Sequence, residues 1–347
     1  MSDRIVECIP NISEGRDIEK INEIVSCAEI NGITILGVEP DKDYHRTVIT
    51  FAGKPEDVVE AAFNLTKKAI QSIDMRHHSG EHPRLGAVDV IPFVPIKGVT
   101  MDDCAQLARK LAQRLGNEIN LPTYLYGSAA TDDSRKNLSA IRRGEVEGLE
   151  ERLSKNNQNI DVTTFPDFGP KYWSEDIGRS GATVVGARKV LIAYNVNLDE
   201  KEPTVAKKVG SLVRGSGRLL KSDKGEKMRI PGMLEKVKGM GVALDQHKIS
   251  QVSMNLEDTS ITPLHVAFLA VQSLSQDHGV ETKGSEIVGL IPLKDMKEAG
   301  QWFSKNDTSD ENELVQAAIE GLGLSYLEEF IPNNRIIEYA MGIKNDN

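Results

Sequence analysis

The feature that most constrains the fold is a weak internal repeat of strands and helices. A β-branched or apolar strand precedes a helical pattern in each half, and a second strand then follows. The offsets between matching segments are 202 and 198 residues (249 − 47 and 284 − 86). Chance similarity between α/β units would give the same matches, so both interpretations stay open. The matching pairs are 47–51 with 249–255, and 86–95 with 284–293.

If the repeat is real, the chain is an α/β (α+β) protein built from two similar split-βαβ, or ferredoxin-like, subdomains. Helices cover one face of each such sheet, so we expect the two bare faces to pack against each other with the helices outside. A ligand would then lie in the crevice between them. We predict an N-terminal subdomain over residues 1–179 and a C-terminal subdomain over residues 180–347.

Composition restricts the class of protein. Hydrophobic residues make up 39% and charged residues 27% of the 347, as in an ordinary globular protein. The net charge of −10 argues against nucleic acid as a partner, since a phosphate-backbone binder needs a basic surface. No apolar run approaches a membrane span, and Cys8, Cys27 and Cys104 are interpreted as reduced thiols. We therefore expect a cytoplasmic protein that binds small molecules.

Two helical regions can be predicted, the first of them with its buried face. Thr100 begins a capping-box-like start, after which Leu107, Leu111 and Leu115 recur at helical spacing. Residues 139–153 are predicted as a charged helical region. The first of these helices has an apolar stripe and should pack on a sheet.

The stretch 80–95 carries the candidate chemistry. Pro83 fixes its own φ and favours an extended conformation at His82. Glu81 and Arg84 flank the histidine and are possible influences on its pKa. A titratable group on a stiff loop before a strand suits general acid–base catalysis, and the alternative is a structural loop histidine.

Other chemistries fit the sequence less well. His78 and His82 have the i, i+4 spacing of a helical metal site, but residues 79–80 and Pro83 interrupt any helix there, so no metal is predicted. No phosphate-binding loop is evident. The serine in 215–217 lacks the apolar strand of a nucleophile elbow.

Six motifs are spread from residue 6 to residue 339. They are VECIPNISEG at 6–15, HRTV at 45–48, GEHPRLGAVDVIPFVP at 80–95, PDFGP at 166–170, GATVVGARK at 181–189 and RIIEY at 335–339. Together they resemble the glutamate formimidoyltransferase family. The resemblance implies transfer of a formimidoyl group from N-formimidoyl-L-glutamate to tetrahydrofolate, a co-substrate, in histidine degradation. Because animal members carry a cyclodeaminase domain after this one, the length implies a monofunctional transferase.

The resemblance also implies site residues. His82 lies where the family has its catalytic acid–base histidine. Glu39 lies where it has an acidic residue and is the second predicted catalytic residue. Arg46 and Arg84 are candidates for the carboxylates of the substrates, with a surface salt bridge as the alternative for each. The matching folate-binding segment includes Gly169, Pro170, Lys171, Tyr172, Trp173, Gly178 and Gly181.

Two alternatives to formimidoyl transfer remain. One is transfer of a formyl group from N-formylglutamate to tetrahydrofolate, since the two donors differ by one heteroatom. The other is a folate-binding protein without catalysis. A homodimer is possible.

Overall fold

The computed structural model describes residues 4–80, 82–154, 158, 160–161, 163–221, 227–304 and 308–342. Glu81, a predicted neighbour of His82, lies outside them. The chain divides into two compact units, Met1–Lys189 and Val190–Asn347. The sequence predicted a division after residue 179. The following strand, Thr183–Ala187, pairs with strands of the first unit and so belongs to it.

The first unit contains a mixed sheet with helices between its strands. Its elements are β1 (Ile5–Cys8), β2 (Asn11–Ile12), α1 (Ile18–Ser26), β3 (Ile33–Asp41), β4 (Arg46–Gly53), α2 (Pro55–Ser72), β5 (Val88–Lys97), α3 (Met101–Glu118), β6 (Thr123–Gly127), α4 (Leu138–Ile141), α5 (Leu149–Arg152), α6 (Glu175–Ser180) and β7 (Thr183–Ala187).

β1 and β2 act as one interrupted strand. Both pair antiparallel with β4 on one side and β5 on the other, and Pro10, which lacks an N–H, lies in the gap between them. β3 pairs with β4, so the order from this edge is β3, β4, β1/β2 and β5. The sheet then continues through β7 to β6 with parallel pairing, an extension that the sequence did not predict.

The second unit contains a four-stranded antiparallel sheet in the order β11, β12, β8, β13 and a separate hairpin of β9 and β10. Counted along the chain, the four strands have the order 2-3-1-4, as do β1/β2, β3, β4 and β5 in the first unit. The predicted mixed α/β class is confirmed. The elements are β8 (Ile192–Leu198), α7 (Thr204–Val213), β9 (Arg218–Lys221), β10 (Lys227–Ile230), β11 (Val237–Leu244), β12 (Ile249–Leu256), α8 (Leu264–Gln276), β13 (Thr282–Val288), α9 (Leu293–Phe303), α10 (Glu311–Leu322), α11 (Pro332–Arg335) and α12 (Ile337–Ala340).

The amphipathic pattern of α3 correctly predicts both the start of this helix and its buried face. Thr100 and Asp103 form a complete capping box, and Leu107, Leu111 and Leu115 are buried in the core of the first unit. None of the helices that the structure describes is both long and apolar enough to cross a membrane.

The predicted charged helical region 139–153 is instead two four-residue helices, α4 and α5, joined by a turn. Gly144 at φ +81° and Glu145 at φ +53° lie in the left-handed region, which ends a right-handed helix. Charge spacing alone could not reveal this interruption.

Two glycine backbones join the loop before β5 to the end of α6. Gly86 and Gly181 form an isolated bridge, and the Ala87 N–H donates to the Ser180 carbonyl at 2.8 Å. The Ala182 N–H donates to the Leu85 carbonyl at 2.9 Å. The end of the predicted folate segment is therefore fixed against the end of the loop that carries His82.

We predict that Gly181→Ala destabilises the first unit more than Gly144→Ala. Gly181 has φ +69°, and a Cβ there would lie 2.5 Å from the Leu85 carbonyl oxygen and closer still to the Gly86 Cα. A Cβ on Gly144 has its nearest atom at 3.7 Å, so that control carries only the left-handed strain of about 1–2 kcal/mol. Urea unfolding measures both, and equal losses would contradict the close packing.

Candidate active site

His82 lies on a loop between a short 3₁₀ turn, Met75–His77, and β5; residues 78–86 are called the His82 loop below. The loop faces the tip of the β3–β4 hairpin, where Asp41 and Arg46 are partners in the strand register. Gly80 packs directly on this tip, since a Cβ there would lie 2.6 Å from the His45 Cβ. The sheet therefore brings Arg46 to the histidine from 36 residues away.

The His82 ring has a defined hydrogen-bonding state. Its Nε2 lies 3.3 Å from Nη1 of Arg46, and the Tyr44 ring meets it edge-on with centroids 6.4 Å apart. A guanidinium can only donate, so Nε2 is the acceptor and the ring proton is on Nδ1. The lone pair needed by a general base is thus on Nε2.

The electrostatic surroundings keep His82 neutral. Burial lowers its pKa, and the positive charges of Arg46, Arg142 and Arg84 lower it further, to about 4. Asp41 opposes the shift but is the smallest of these influences. At neutral pH the histidine is therefore unprotonated, which is the state from which a general base acts.

Arg46 differs from the other two guanidinium groups in having no carboxylate partner within the described part of the chain. Its Nη1 donates to the Asn11 side-chain oxygen at 3.1 Å as well as to His82, and its Nε is buried without a hydrogen bond. The group also lies over the Tyr44 ring, 5.6 Å from its centroid. A half-buried cation without a carboxylate partner in the described chain is suited to bind an anionic group of a substrate.

Arg84, the other predicted carboxylate ligand, is fully engaged by the protein itself. Its side chain is 8% exposed, and its Nη1 donates to Glu145 at 2.7 Å and to Glu147 at 3.2 Å. A further bond joins Nη2 to Glu147, and Nε donates to Nδ1 of His78 at 3.1 Å. These contacts leave the guanidinium little capacity for a ligand.

Glu39 is exposed on β3 opposite Val48, and no direct contact with His82 is described for it. Asp41 lies two residues further along the same strand, so the two side chains share a face. It is Asp41 whose charge reaches His82. Its Oδ1 also accepts the Asp43 and Tyr44 N–H groups, which shapes the hairpin tip.

The predicted folate segment 169–181 has an exposed half and a buried half. Lys171 and Tyr172 are exposed, whereas Trp173 is half-buried against the core and Gly178 packs under its ring, where a Cβ would lie 3.1 Å from Cζ2. Gly169 has φ +83° and, with Pro170, is partly buried. Among the aromatic residues of this segment, Tyr172 presents a free ring to a ligand.

Sequence reasoning did not find two groups that act on the site. Asn11 belongs to a quoted motif but has a role only because β2 ends beside β4 and orients Arg46. Arg142 lies 60 residues after His82 in a charged stretch without a motif. Among the described residues no group of three or more His, Cys, Asp or Glu side chains is arranged for a metal ion. The absence of a metal stays a prediction.

Comparisons with known proteins cover both units. Residues 5–188 match the family described as the formiminotransferase domain, N-terminal subdomain, and residues 193–342 match the formiminotransferase domain. The chain belongs to the formiminotransferase family. The resemblance found in the sequence motifs is thereby confirmed.

Three relatives show the extent of the similarity. A formimidoyltransferase-cyclodeaminase of Rattus norvegicus is 41% identical over 343 residues, which are 97% of this chain and 60% of that protein. A glutamate formimidoyltransferase of Streptococcus pyogenes serotype M1 is 36% identical over 313 residues, 90% of this chain and 97% of that protein. One of Thermoplasma acidophilum is 37% identical over 319 residues, with coverages of 91% and 97%. The chain thus spans about 60% of the length of the rat relative and matches nearly all of the other two.

We predict that Arg46→Met raises the pKa of His82 from about 4 toward the ordinary value of 6.5. The rise is partial because burial, the largest cause of the shift, remains. At pH 5 the variant then carries more imidazolium than the wild type. A pH titration of the His82 ring by NMR measures this change.

Arg114→Met is the control, since Arg114 bonds Glu60 and Glu118 and is not among the charges that act on His82. A pKa of His82 that is the same in both variants would show that Arg46 does not set it.

Proposed function

We propose that the chain transfers the formimidoyl group of N-formimidoyl-L-glutamate to tetrahydrofolate, giving 5-formimidoyltetrahydrofolate and L-glutamate, in histidine degradation. The names of the Streptococcus and Thermoplasma relatives support this activity. The observation that carries it is the neutral His82, whose Nε2 lies 3.3 Å from a guanidinium without a carboxylate partner in the described chain. This pairing provides a base and an anion site in one place.

His82 is proposed to move one proton through the reaction. The folate amine attacks the formimidoyl carbon and a C–N bond forms. Nε2, whose lone pair is released when Arg46 pairs with the donor carboxylate, takes the proton of the attacking nitrogen. The tetrahedral intermediate then loses the glutamate nitrogen, and the same proton returns to it as that C–N bond breaks. General acid–base catalysis of this kind contributes about 10²–10⁴-fold in rate.

The low pKa of His82 suits the second half of this cycle. An imidazolium whose pKa is about 4 in the free protein is more acidic than an ordinary imidazolium and more readily protonates a leaving amine. An anionic donor beside Arg46 would offset part of the positive charge and raise the pKa of His82 while the substrate is bound. The base would thereby become stronger when it is needed.

The remaining polar groups are assigned to the substrates. Arg46 is proposed to pair with a carboxylate of the donor, and Glu39 and Asp41 to face its cationic amidine. The segment 169–181 is proposed to bind tetrahydrofolate, with Tyr172 stacked on a ring of the folate and Trp173 supporting the segment from the core side.

His82→Ala is expected to lower kcat by at least about 100-fold, because the proton transfer loses its carrier, and to leave the dissociation constant of tetrahydrofolate unchanged. Steady-state kinetics and equilibrium binding measure the two quantities. His77→Ala, at an exposed neighbouring histidine, is the control and should behave as the wild type. Turnover retained in His82→Ala would refute the assignment.

The formimidoyl donor is expected to have a higher kcat/KM than N-formylglutamate in a parallel assay. The amidine is cationic near neutral pH, and carboxylates on the β3 face favour a cation there. Asp41→Asn keeps an acceptor for the hairpin tip but removes the charge, so it should reduce the preference. A ratio that is unaffected by Asp41→Asn would exclude this origin of specificity.

A further inference from the structure

The His82 loop is fixed at its C-terminal end by residues 142–147, called the brace below. Its Glu145 and Glu147 accept bonds from both terminal nitrogens of Arg84, with Nη1 donating to Glu145 at 2.7 Å and Nη2 donating to Glu147. The Val146 N–H donates to the Arg84 carbonyl at 2.9 Å. Side chain and backbone of Arg84 are therefore both held by one short segment.

A second pair of bonds continues this contact to the next residue. Arg142 of the brace donates from Nε to Oδ1 of Asp89 at 3.1 Å, and the same oxygen accepts the Leu85 N–H at 2.9 Å. Asp89 is 1% exposed and belongs to β5. The backbone at residues 84 and 85 is thus tied both to the brace and to the central sheet.

The brace has a shape that depends on these contacts. Gly144 and Glu145 have φ values of +81° and +53°, and a non-glycine residue in the left-handed region costs about 1–3 kcal/mol. That conformation directs the Glu145 carboxylate toward Arg84. Glu145 thereby accepts one bond from Nη1 of Arg84, while Glu147 pairs with Nη1 and Nη2 in a bidentate contact.

The other end of the loop is held by two stacked histidines. The His78 ring lies on the His45 ring with centroids 4.3 Å apart, and its Nε2 is 3.0 Å from the His45 carbonyl. Because that nitrogen must donate, Nδ1 of His78 is the acceptor for Nε of Arg84. This arrangement requires a neutral His78, and burial lowers its pKa accordingly.

His45 is anchored in turn. Its Nδ1 lies 2.7 Å from the Ser79 carbonyl and its Nε2 lies 3.2 Å from Oε1 of Glu14. Burial alone would raise the pKa of Glu14, but hydrogen bonds from Lys20 and from the N–H groups of Arg16 and Asp17 lower it to about 2. An ionised, buried carboxylate therefore ends the chain of contacts that starts at Arg84.

We propose that Arg84 is a positioning residue: held by the brace and by His78, it fixes the His82 loop so that Nε2 of His82 faces the reacting atoms. His82 is two residues from Arg84, and a displacement of about 1 Å at a catalytic group can cost about 10²-fold in rate. The inference rests on the proposed acid–base role of His82. It gives Arg84 a role without contact to substrate.

The test removes both carboxylates from Arg84 without changing the sequence of the His82 loop. In Glu145→Ala/Glu147→Ala, kcat is expected to fall at least about tenfold while KM for both substrates stays the same. The matched control is Glu60→Ala/Glu118→Ala, which removes both carboxylates from Arg114 at bond lengths of 2.7 and 2.9 Å and should leave kcat unchanged. If Arg84 instead binds a substrate carboxylate, the brace variant changes KM and keeps kcat, which would overturn the proposal.

Hydrogen–deuterium exchange of the peptide 78–90 provides a readout that needs no turnover. Exchange should increase there in the brace variant. It should remain at the wild-type level in α2 and α3, and that result would show that the first unit of the variant is folded. Unchanged exchange in 78–90 would refute the positioning role. Wild-type protein without transferase activity but with the expected exchange difference would instead refute only the proposed function.

Discussion

The site depends on one interaction, the approach of the Arg46 guanidinium to Nε2 of His82. The contact selects the tautomer of the histidine, contributes to its low pKa and leaves a cation without a carboxylate partner in the described chain. Each of these effects requires Arg46 to be held in place, and Asn11 supplies that restraint from the end of β2. A neutral restraint is essential, because a carboxylate there would neutralise the cation and raise the pKa of His82.

The sheet provides this geometry through its strand order. The interrupted strand β1/β2 lies between β4 and β5, so the start of β4, which carries Arg46, is brought next to the loop that enters β5. Three guanidinium groups act on His82, yet Arg84 and Arg142 are paired with buried or partly buried carboxylates. The difference in pairing separates a cation that can bind substrate from cations that hold the backbone.

The features predicted correctly from the sequence are those that depend on residues close together in the chain. The capping box at Thr100 and the stripe through Leu111 follow from helical periodicity, and the loop position of His82 follows from Pro83 and the apolar strand after it. The extension of the sheet through β7 to β6 depends on pairing between distant segments, which no local pattern encodes. The same holds for Arg142 and Glu145, because a charged stretch has the same appearance whether its side chains face solvent or a loop 60 residues away.

A histidine with a pKa of about 4 is a weak base, and the surrounding charges explain why this is compatible with the role proposed for His82. Burial is the largest cause of the low pKa, but the next cause, the charge of Arg46, is one that an anion entering the site would compensate, while the charges of Arg84 and Arg142 stay paired with carboxylates. The free protein therefore keeps His82 unprotonated over a wide pH range, and in the proposed mechanism the bound donor would bring the pKa closer to that of the amines between which the proton moves. The proton affinity of His82 would then depend on whether a substrate occupies the site, so His82 would carry the proton effectively only when a substrate is bound.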